Sequence, residues 1–176
     1  IQELDKPIHI NRALRRDGFL NIKRECGEDH LDPGASRAFA VADHQIAHVY
    51  VANEEDIGKV VKTLEKCDGI AEILVGEERA KVQLDHPRSG EIICLSEKDA
   101  WFTYYFWLDD KLAPDFARAV DIHQKPGYDP VELFMVKGGK LKAAKTLLKK
   151  KLGFRYLMDV IPLDASLVKG SHGVLT

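Results

Sequence analysis

The residues best suited to chemistry lie near the carboxyl end, in the sequence Gly170-Ser171-His172-Gly173. A histidine between two glycines lies on backbone that can bend sharply and leaves room beside the ring. Imidazole is also a common ligand of zinc and similar ions. The motif therefore predicts that His172 is a metal ligand, completed by two or three Asp, His or Glu side chains from elsewhere. The alternative is a solvated histidine in a terminal loop.

A second candidate is the adjacent pair Asp43-His44, which lies between two predicted strands. At a sharp turn, both side chains could bind one metal ion. In a straight strand they could not, because neighbouring side chains point to opposite faces of the sheet. Two interpretations therefore stay open: a metal site that uses Asp43 and His44, or a polar hairpin tip.

The third candidate is the stretch 121–130, which places two carboxylates, an imidazole, an ammonium and a phenol on a Pro-Gly loop. Such a density of polar groups suits substrate binding. We predict that Lys125 contacts a phosphate and that His123 and Tyr128 also bind the substrate. The alternative is a structural loop whose Asp and His side chains hydrogen-bond to its own backbone.

Composition restricts the class of protein. The 176 residues suffice for one domain, or for one domain with a small inserted lobe. The net charge of -2 argues against a nucleic acid polymer as partner. Three scattered cysteines are typical of the reducing cytoplasm. No apolar run approaches the roughly 18 residues of a membrane span, so we expect no membrane partner. The chain starts at Ile1 without a methionine, and we expect it to be a fragment whose amino-terminal part is missing.

The order of predicted elements indicates an α/β fold in which an α+β lobe carries a largely antiparallel sheet. A turn signal at Asp32-Pro33-Gly34 suggests a boundary near residue 35. The stretch 109–136 is predicted to be a long loop. The predicted helices are 7–17, 54–67, 77–84 and 140–152, and the predicted strands are 37–42, 46–51, 70–75, 91–95 and 101–107.

The order of three motifs resembles a known family, the type I phosphodiesterase/nucleotide pyrophosphatase-like proteins of the alkaline phosphatase superfamily. The sequence from Pro7 to Leu14, followed by Gly18-Phe19-Leu20, resembles the helix after the family's Asp-His-Gly metal motif. Ser36-Arg37-Ala38-Phe39-Ala40 resembles the strand that follows, and Gly170-Ser171-His172-Gly173 resembles the late Gly-x-His-Gly.

The resemblance implies two divalent metal ions, zinc with manganese or magnesium as alternatives, and a small phosphate-ester substrate. The nucleophile and most metal ligands would lie before Ile1, on the N-terminal part of the same protein, so the isolated chain should be inactive. His172 matches the last metal ligand. Residues 1–35 would then belong to the C-terminal part of the alkaline-phosphatase-like core, 36–136 to a lobe that covers the active site, and 137–176 to the return into the core.

Two other functions remain open at this point. The chain could be a non-catalytic α/β module that binds a small ligand or a protein. It could also belong to a phosphomutase or a sulfatase-like enzyme of the same superfamily.

Overall fold

The structure, a computed structural model, describes residues 2, 3, 5–121 and 123–171 of the chain. Its α-helices are α1 (Ile10–Arg16), α2 (Glu54–Leu64) and α3 (Gly139–Lys151). Its strands are β1 (Gln2–Glu3), β2 (Lys6–Ile8), β3 (Ile22–Glu25), β4 (Glu28–Leu31), β5 (Ala38–Asp43), β6 (Ile46–Val51), β7 (Ile70–Val75), β8 (Ile92–Ser96), β9 (Ala100–Phe102) and β10 (Gly170–Ser171). Short 3₁₀ helices span Gly76–Val82, Asp110–Leu112, Asp115–Arg118, Pro130–Leu133 and Ala165–Leu167.

The largest sheet has four strands in the order β5-β6-β8-β7, and every neighbouring pair is antiparallel. Small residues of β5 alternate with larger ones, so that Ala38, Ala40 and Ala42 face the core. Helix α2 begins after Asn53, whose side chain makes no capping hydrogen bond. The predicted α/β class with a largely antiparallel sheet is thus confirmed.

The amino-terminal helix begins at Ile10, three residues later than predicted. Residues Lys6–Ile8 form β2 instead, which pairs in parallel with β9. Just after this pair, the backbone N–H of Thr103 donates to the carbonyl of Ile8 at 2.9 Å. Pro7 is tolerated there because β2 pairs on one edge only. On the other edge no backbone N–H is needed, and proline has none.

The predicted strand 101–107 is wrong beyond Phe102. Residues 103–107 are buried, but beyond Thr103 their carbonyls accept hydrogen bonds from side chains of α1. Arg12 Nε donates to the carbonyl of Trp107 at 2.6 Å, and Arg15 Nη1 donates to the carbonyl of Phe106 at 3.1 Å. Residues 103–107, which we call the aromatic wall, therefore form the surface against which α1 packs.

A hairpin that the sequence did not predict, β3-β4, lies in the polar stretch before residue 36. It carries Asp29, whose buried carboxylate accepts hydrogen bonds from Arg15 at 2.7 Å and from Arg24 at 2.9 Å. Burial alone would raise the pKa of Asp29, but the two arginines outweigh burial and lower it. This ion-paired hairpin escaped prediction because its buried partner is a charge rather than an apolar residue.

One cluster of buried apolar side chains joins the three predicted segments. It includes Leu14 from the first segment, Val49 and Trp107 from the second, and Ile161 and Val168 from the third. None of the helices in the described residues is both long and apolar enough to cross a lipid bilayer.

Candidate functional site

The turn between β5 and β6 holds the predicted pair Asp43-His44. Asp43 ends β5 opposite Ile46 and is exposed, whereas His44 is buried. His44 adopts a positive φ of 52°, a conformation in which histidine is over-represented among non-glycine residues. Its carbonyl accepts a hydrogen bond from the N–H of Phe102 at 2.7 Å. The turn is therefore fixed against β9 rather than projecting into solvent.

The predicted substrate loop docks onto the end of β5. Gly127 forms an isolated parallel bridge with Ala42, and the N–H of Tyr128 donates to the carbonyl of Ala42 at 2.8 Å. Gly127 has a φ of 126°, and a Cβ at this position would overlap the Ala42 carbonyl oxygen. Only glycine allows this close approach.

Docking of the loop brings two of the predicted sites together. The rings of His44 and Tyr128 stack with their centroids 4.7 Å apart. Tyr128 remains 43% exposed, and His123 is exposed on the same loop. The phenol of Tyr128 and the imidazole of His123 are thus both available to a ligand at this surface.

Lys125, predicted to contact phosphate, has a different environment. Its ammonium is fully buried, 2.8 Å from Asp129 Oδ2 and 2.5 Å from Glu132 Oε1. The contact with Asp129 is a hydrogen bond, whereas that with Glu132 is an ion pair without hydrogen-bond geometry. Burial raises the pKa of Asp129, although the lysine opposes this effect. In this structure the lysine holds the loop together by charge compensation.

A cleft of about 250 Å³ that was not predicted lies beside Tyr105 and Arg12. Arg12 Nη2 and Trp107 Nε1 both donate to Asp110 Oδ1, at 3.2 and 2.9 Å. Tyr105 and the segment around Ser166 complete the lining. This cleft could not be predicted from the sequence because its groups come from positions about 100 residues apart.

His9 borders the same cleft. Its Nδ1 is hydrogen-bonded with Thr103 Oγ1 at 2.8 Å, and its ring lies 5.8 Å from that of Tyr105. Burial, followed by the positive charge of Arg12, lowers the pKa of His9 to about 4. The imidazole is therefore neutral at physiological pH and can accept or donate a single hydrogen bond to a ligand.

The strands at the two ends of the described chain pair with each other. Gln2 lies opposite Ser171 and Glu3 opposite Gly170 in the antiparallel pair β1-β10. His172, the first predicted metal ligand, lies outside the described residues.

Two of the predicted metal ligands, Asp43 and His44, lie among the described residues. Within this described part of the chain, no group of three or more His, Cys, Asp or Glu side chains is placed to hold a metal ion. The assignment of Asp43 and His44 as metal ligands stays a prediction.

Comparison with known proteins identifies the family of this chain. Residues 1–129 match the model of the type I phosphodiesterase / nucleotide pyrophosphatase family. The chain belongs to this family. No significant match is found among curated proteins, and none is found among solved structures.

The family match covers residues 1–129 of this phosphodiesterase-family chain and not the rest. It includes α1, the central sheet, the aromatic wall and the loop up to Asp129. Asn11, in the motif that suggested the family, is fully buried, and its amide exchanges two hydrogen bonds of 2.8 Å with the backbone of Ala40. Helix α3 and the segment up to β10 follow the matched region.

Proposed function

We propose that this chain is part of a longer, metal-dependent hydrolase of phosphate esters, of the phosphodiesterase or nucleotide pyrophosphatase type. The observation that carries the proposal is the family match over residues 1–129. In this proposal, residues 36–136 form the lobe over the active site, and the exposed His123 and Tyr128 contact the substrate. The buried Lys125 supports this loop from below.

His172 supplies one ligand to a pair of divalent ions, zinc in the first instance. An antiparallel pair brings the amino end of one strand next to the carboxyl end of the other. The β1-β10 pair therefore favours an arrangement in which polypeptide preceding Gln2 and polypeptide following Ser171 meet at one place. The family's Asp-His-Gly metal motif would precede Gln2, and His172 follows Ser171.

Two divalent ions would activate the nucleophile and stabilise the charge of an in-line displacement at phosphorus. The described residues offer no complete metal shell, so no step through the metals is derived for this chain alone. We expect the isolated chain to be inactive, since the nucleophile is assigned to the preceding polypeptide. The three cysteines are unpaired, which favours a cytoplasmic location.

The test uses the full-length protein and two nitrophenyl substrates. A diesterase should release nitrophenol from bis(p-nitrophenyl) phosphate faster than from p-nitrophenyl phosphate, and a chelator should abolish the release. His172→Ala should lower the rate by more than about 100-fold, because even the loss of a residue that only orients a metal ligand costs about 10- to 100-fold. The metal content per chain should fall as well.

His86→Ala is the matched control, since His86 lies exposed in the turn before β8. This variant should keep both rate and metal content. Unchanged activity and metal content in His172→Ala would remove that residue from the site. A preference for the mono-ester would favour a phosphatase or a phosphomutase-like relative.

A further inference from the structure

The cleft beside Tyr105 and Arg12, which we call the His9 cleft, is lined by more hydrogen-bonding groups than its internal contacts use. Its polar lining comes from His9, Arg12, Asp110, Asp164 and Ser166, and its volume is about 250 Å³. Pockets for drug-sized ligands are generally larger, so a cleft of this volume suits a single compact group. The chemistry of that group follows from the polar atoms that remain unpaired.

Two carboxylates each keep one oxygen for a ligand. Asp110 Oδ1 accepts from Arg12 and Trp107 at 3.2 and 2.9 Å, whereas Asp110 Oδ2 has no hydrogen-bond partner among the described residues. Asp164 Oδ1 accepts from the backbone N–H and the hydroxyl of Ser166 at 3.1 and 2.6 Å. Within the described part of the chain, the other oxygen of Asp164 is also unpaired. The cleft therefore offers two acceptors to donors on a ligand.

Donors line the same cleft. Arg12 uses Nε and Nη2 for hydrogen bonds within the chain, so that its Nη1 is unpaired in the described part of the structure. The hydroxyl of Tyr105 is buried and has no partner among the described residues. Such a hydroxyl generally marks a place where an ordered water or a ligand completes the hydrogen bonds. His9 contributes Nε2 as donor or acceptor, because its Nδ1 is already bonded to Thr103.

The charges of the lining disfavour ionic ligands. Asp110 and Asp164 are negative, Arg12 is positive, and burial keeps His9 neutral by lowering its pKa to about 4. The two carboxylates would repel an anion, and the guanidinium would repel an organic cation. A metal ion would need three or more His, Cys, Asp or Glu ligands, and the described residues contain no such group. The lining therefore favours a neutral ligand whose groups both donate and accept hydrogen bonds.

We propose that the His9 cleft binds a neutral, hydroxylated group of sugar or glycerol size, as the alcohol part of the phosphate ester that the hydrolase cleaves. A hydroxyl group both donates and accepts. Neighbouring hydroxyls of one ligand can therefore pair with the free carboxylate oxygens, the guanidinium and the imidazole at the same time. This proposal rests on the proposed function, because that function supplies the ester.

The position of the cleft supports this assignment. Ser166 lines the cleft four residues before Gly170, and Pro7 lines it four residues after Glu3. Gly170 and Glu3 lie opposite each other in the β1-β10 pair, beside which the metal site is proposed. Four residues span at most ~14 Å, so the cleft is within reach of that pair along both segments. A phosphate attached to an alcohol in the cleft would lie on the way to the proposed metals.

The test measures binding of methyl β-D-ribofuranoside to the full-length protein by saturation-transfer NMR. Ser166 is exposed, so Ser166→Phe can place a ring at the cleft without disturbing the core. This variant should weaken binding of the sugar at least ~10-fold. Ala71→Phe is the matched control, because Ala71 is exposed on β7 and does not line the cleft. It should bind the sugar as tightly as the wild type does.

Asp164→Asn is a second variant, and it preserves the contact within the segment. Its amide oxygen can still accept from the backbone N–H of Ser166, but the second acceptor oxygen is replaced by a donor. The loss of one hydrogen bond should weaken sugar binding by about 5-fold. Acetate and ethylammonium at the same concentration as the sugar should not displace it. Displacement by either ion would overturn the assignment of a neutral ligand.

Equal binding of the sugar by the wild type, Ser166→Phe and Asp164→Asn would overturn the proposal. The absence of any saturation transfer to the sugar would overturn it as well. Because the NMR measurement is independent of catalysis, the two proposals can fail separately. Sugar binding that is lost in Ser166→Phe, in a protein that hydrolyses no phosphate ester, would support a hydroxylated ligand in the cleft while refuting the proposed function. Ester hydrolysis by a protein that does not bind the sugar would do the reverse.

Discussion

The backbone of Gly127 runs directly against that of Ala42, 85 residues away, and this contact positions the ring of Tyr128 on that of His44. The predicted substrate loop and the predicted Asp43-His44 site therefore form one surface only because residue 127 has no side chain. The α-carbon hydrogen of Gly127 occupies the place where any Cβ would overlap the Ala42 carbonyl.

Gly127→Ala should detach the loop from β5. The added methyl group overlaps backbone that cannot move without disturbing the sheet, and we expect a loss of about 3 kcal/mol in the free energy of unfolding. Gly76→Ala is the matched control, because Gly76 also has a positive φ but has open space around its Cβ position. That change should cost only about 1 kcal/mol. Urea denaturation followed by tryptophan fluorescence measures both, and equal losses would contradict the proposed overlap.

Lys125→Met should destabilise the protein strongly. The substitution leaves the carboxylates of Asp129 and Glu132 buried without a cation, which costs about 3–5 kcal/mol. Lys6→Met removes a pair of similar length, 2.7 Å from Asp68, but at the surface, where such pairs contribute below about 1 kcal/mol. Adding Asp129→Asn to Lys125→Met should recover part of the loss. No recovery would mean that the lysine acts through packing rather than through charge.

Asn11→Leu tests the amide that joins α1 to β5. A leucine of similar size would leave the N–H and C=O of Ala40 without this partner inside the core. At about 1–3 kcal/mol for each buried group, the total loss should be roughly 2–5 kcal/mol. Asn11→Asp should also destabilise, since a carboxylate cannot donate to the Ala40 carbonyl. Thermal unfolding of the wild type and the two variants measures these losses. An Asn11→Leu variant as stable as the wild type would refute the role of Asn11 in joining α1 to β5.

His9 should make stability depend on pH. Its pKa falls from the ordinary 6.5 to about 4 in the folded protein, so between these values the unfolded chain binds a proton that the folded chain does not. Stability is therefore complete above pH 6.5 and declines as the pH falls towards 4, by about 2–3 kcal/mol between about pH 7.5 and 4.5. His9→Gln should lose this pH-dependent part of the stability, whereas His86→Gln should keep it. Urea midpoints at the two pH values provide the measurement, and parallel changes in wild type and His9→Gln would contradict it.

The sequence predicted the elements whose burial has a simple period. Strands β5 and β6 follow alternation and helix α2 follows helical spacing, and all three end at recognisable turns, so their bounds were close. The run from Thr103 to Trp107 carries no such period because it is buried on every side, and its carbonyls bind side chains of α1. A pattern of residue types cannot reveal that arrangement.

The candidate site was predictable only in its parts. The polar content of the loop 121–130 indicated a special segment, but the pairing of Lys125 with two carboxylates reverses the role expected for that lysine. Helix α3 lies within one residue of its predicted bounds, yet its leucines, among them Leu141 and Leu148, are exposed to solvent. Amphipathic spacing indicates which side of a helix seeks a partner, but not whether this part of the chain provides one.

The pairing of Gln2–Glu3 with Gly170–Ser171 gives the described chain an entry and an exit side by side. A short peptide that links the two ends would therefore give a circularly permuted chain in which this strand pair is kept.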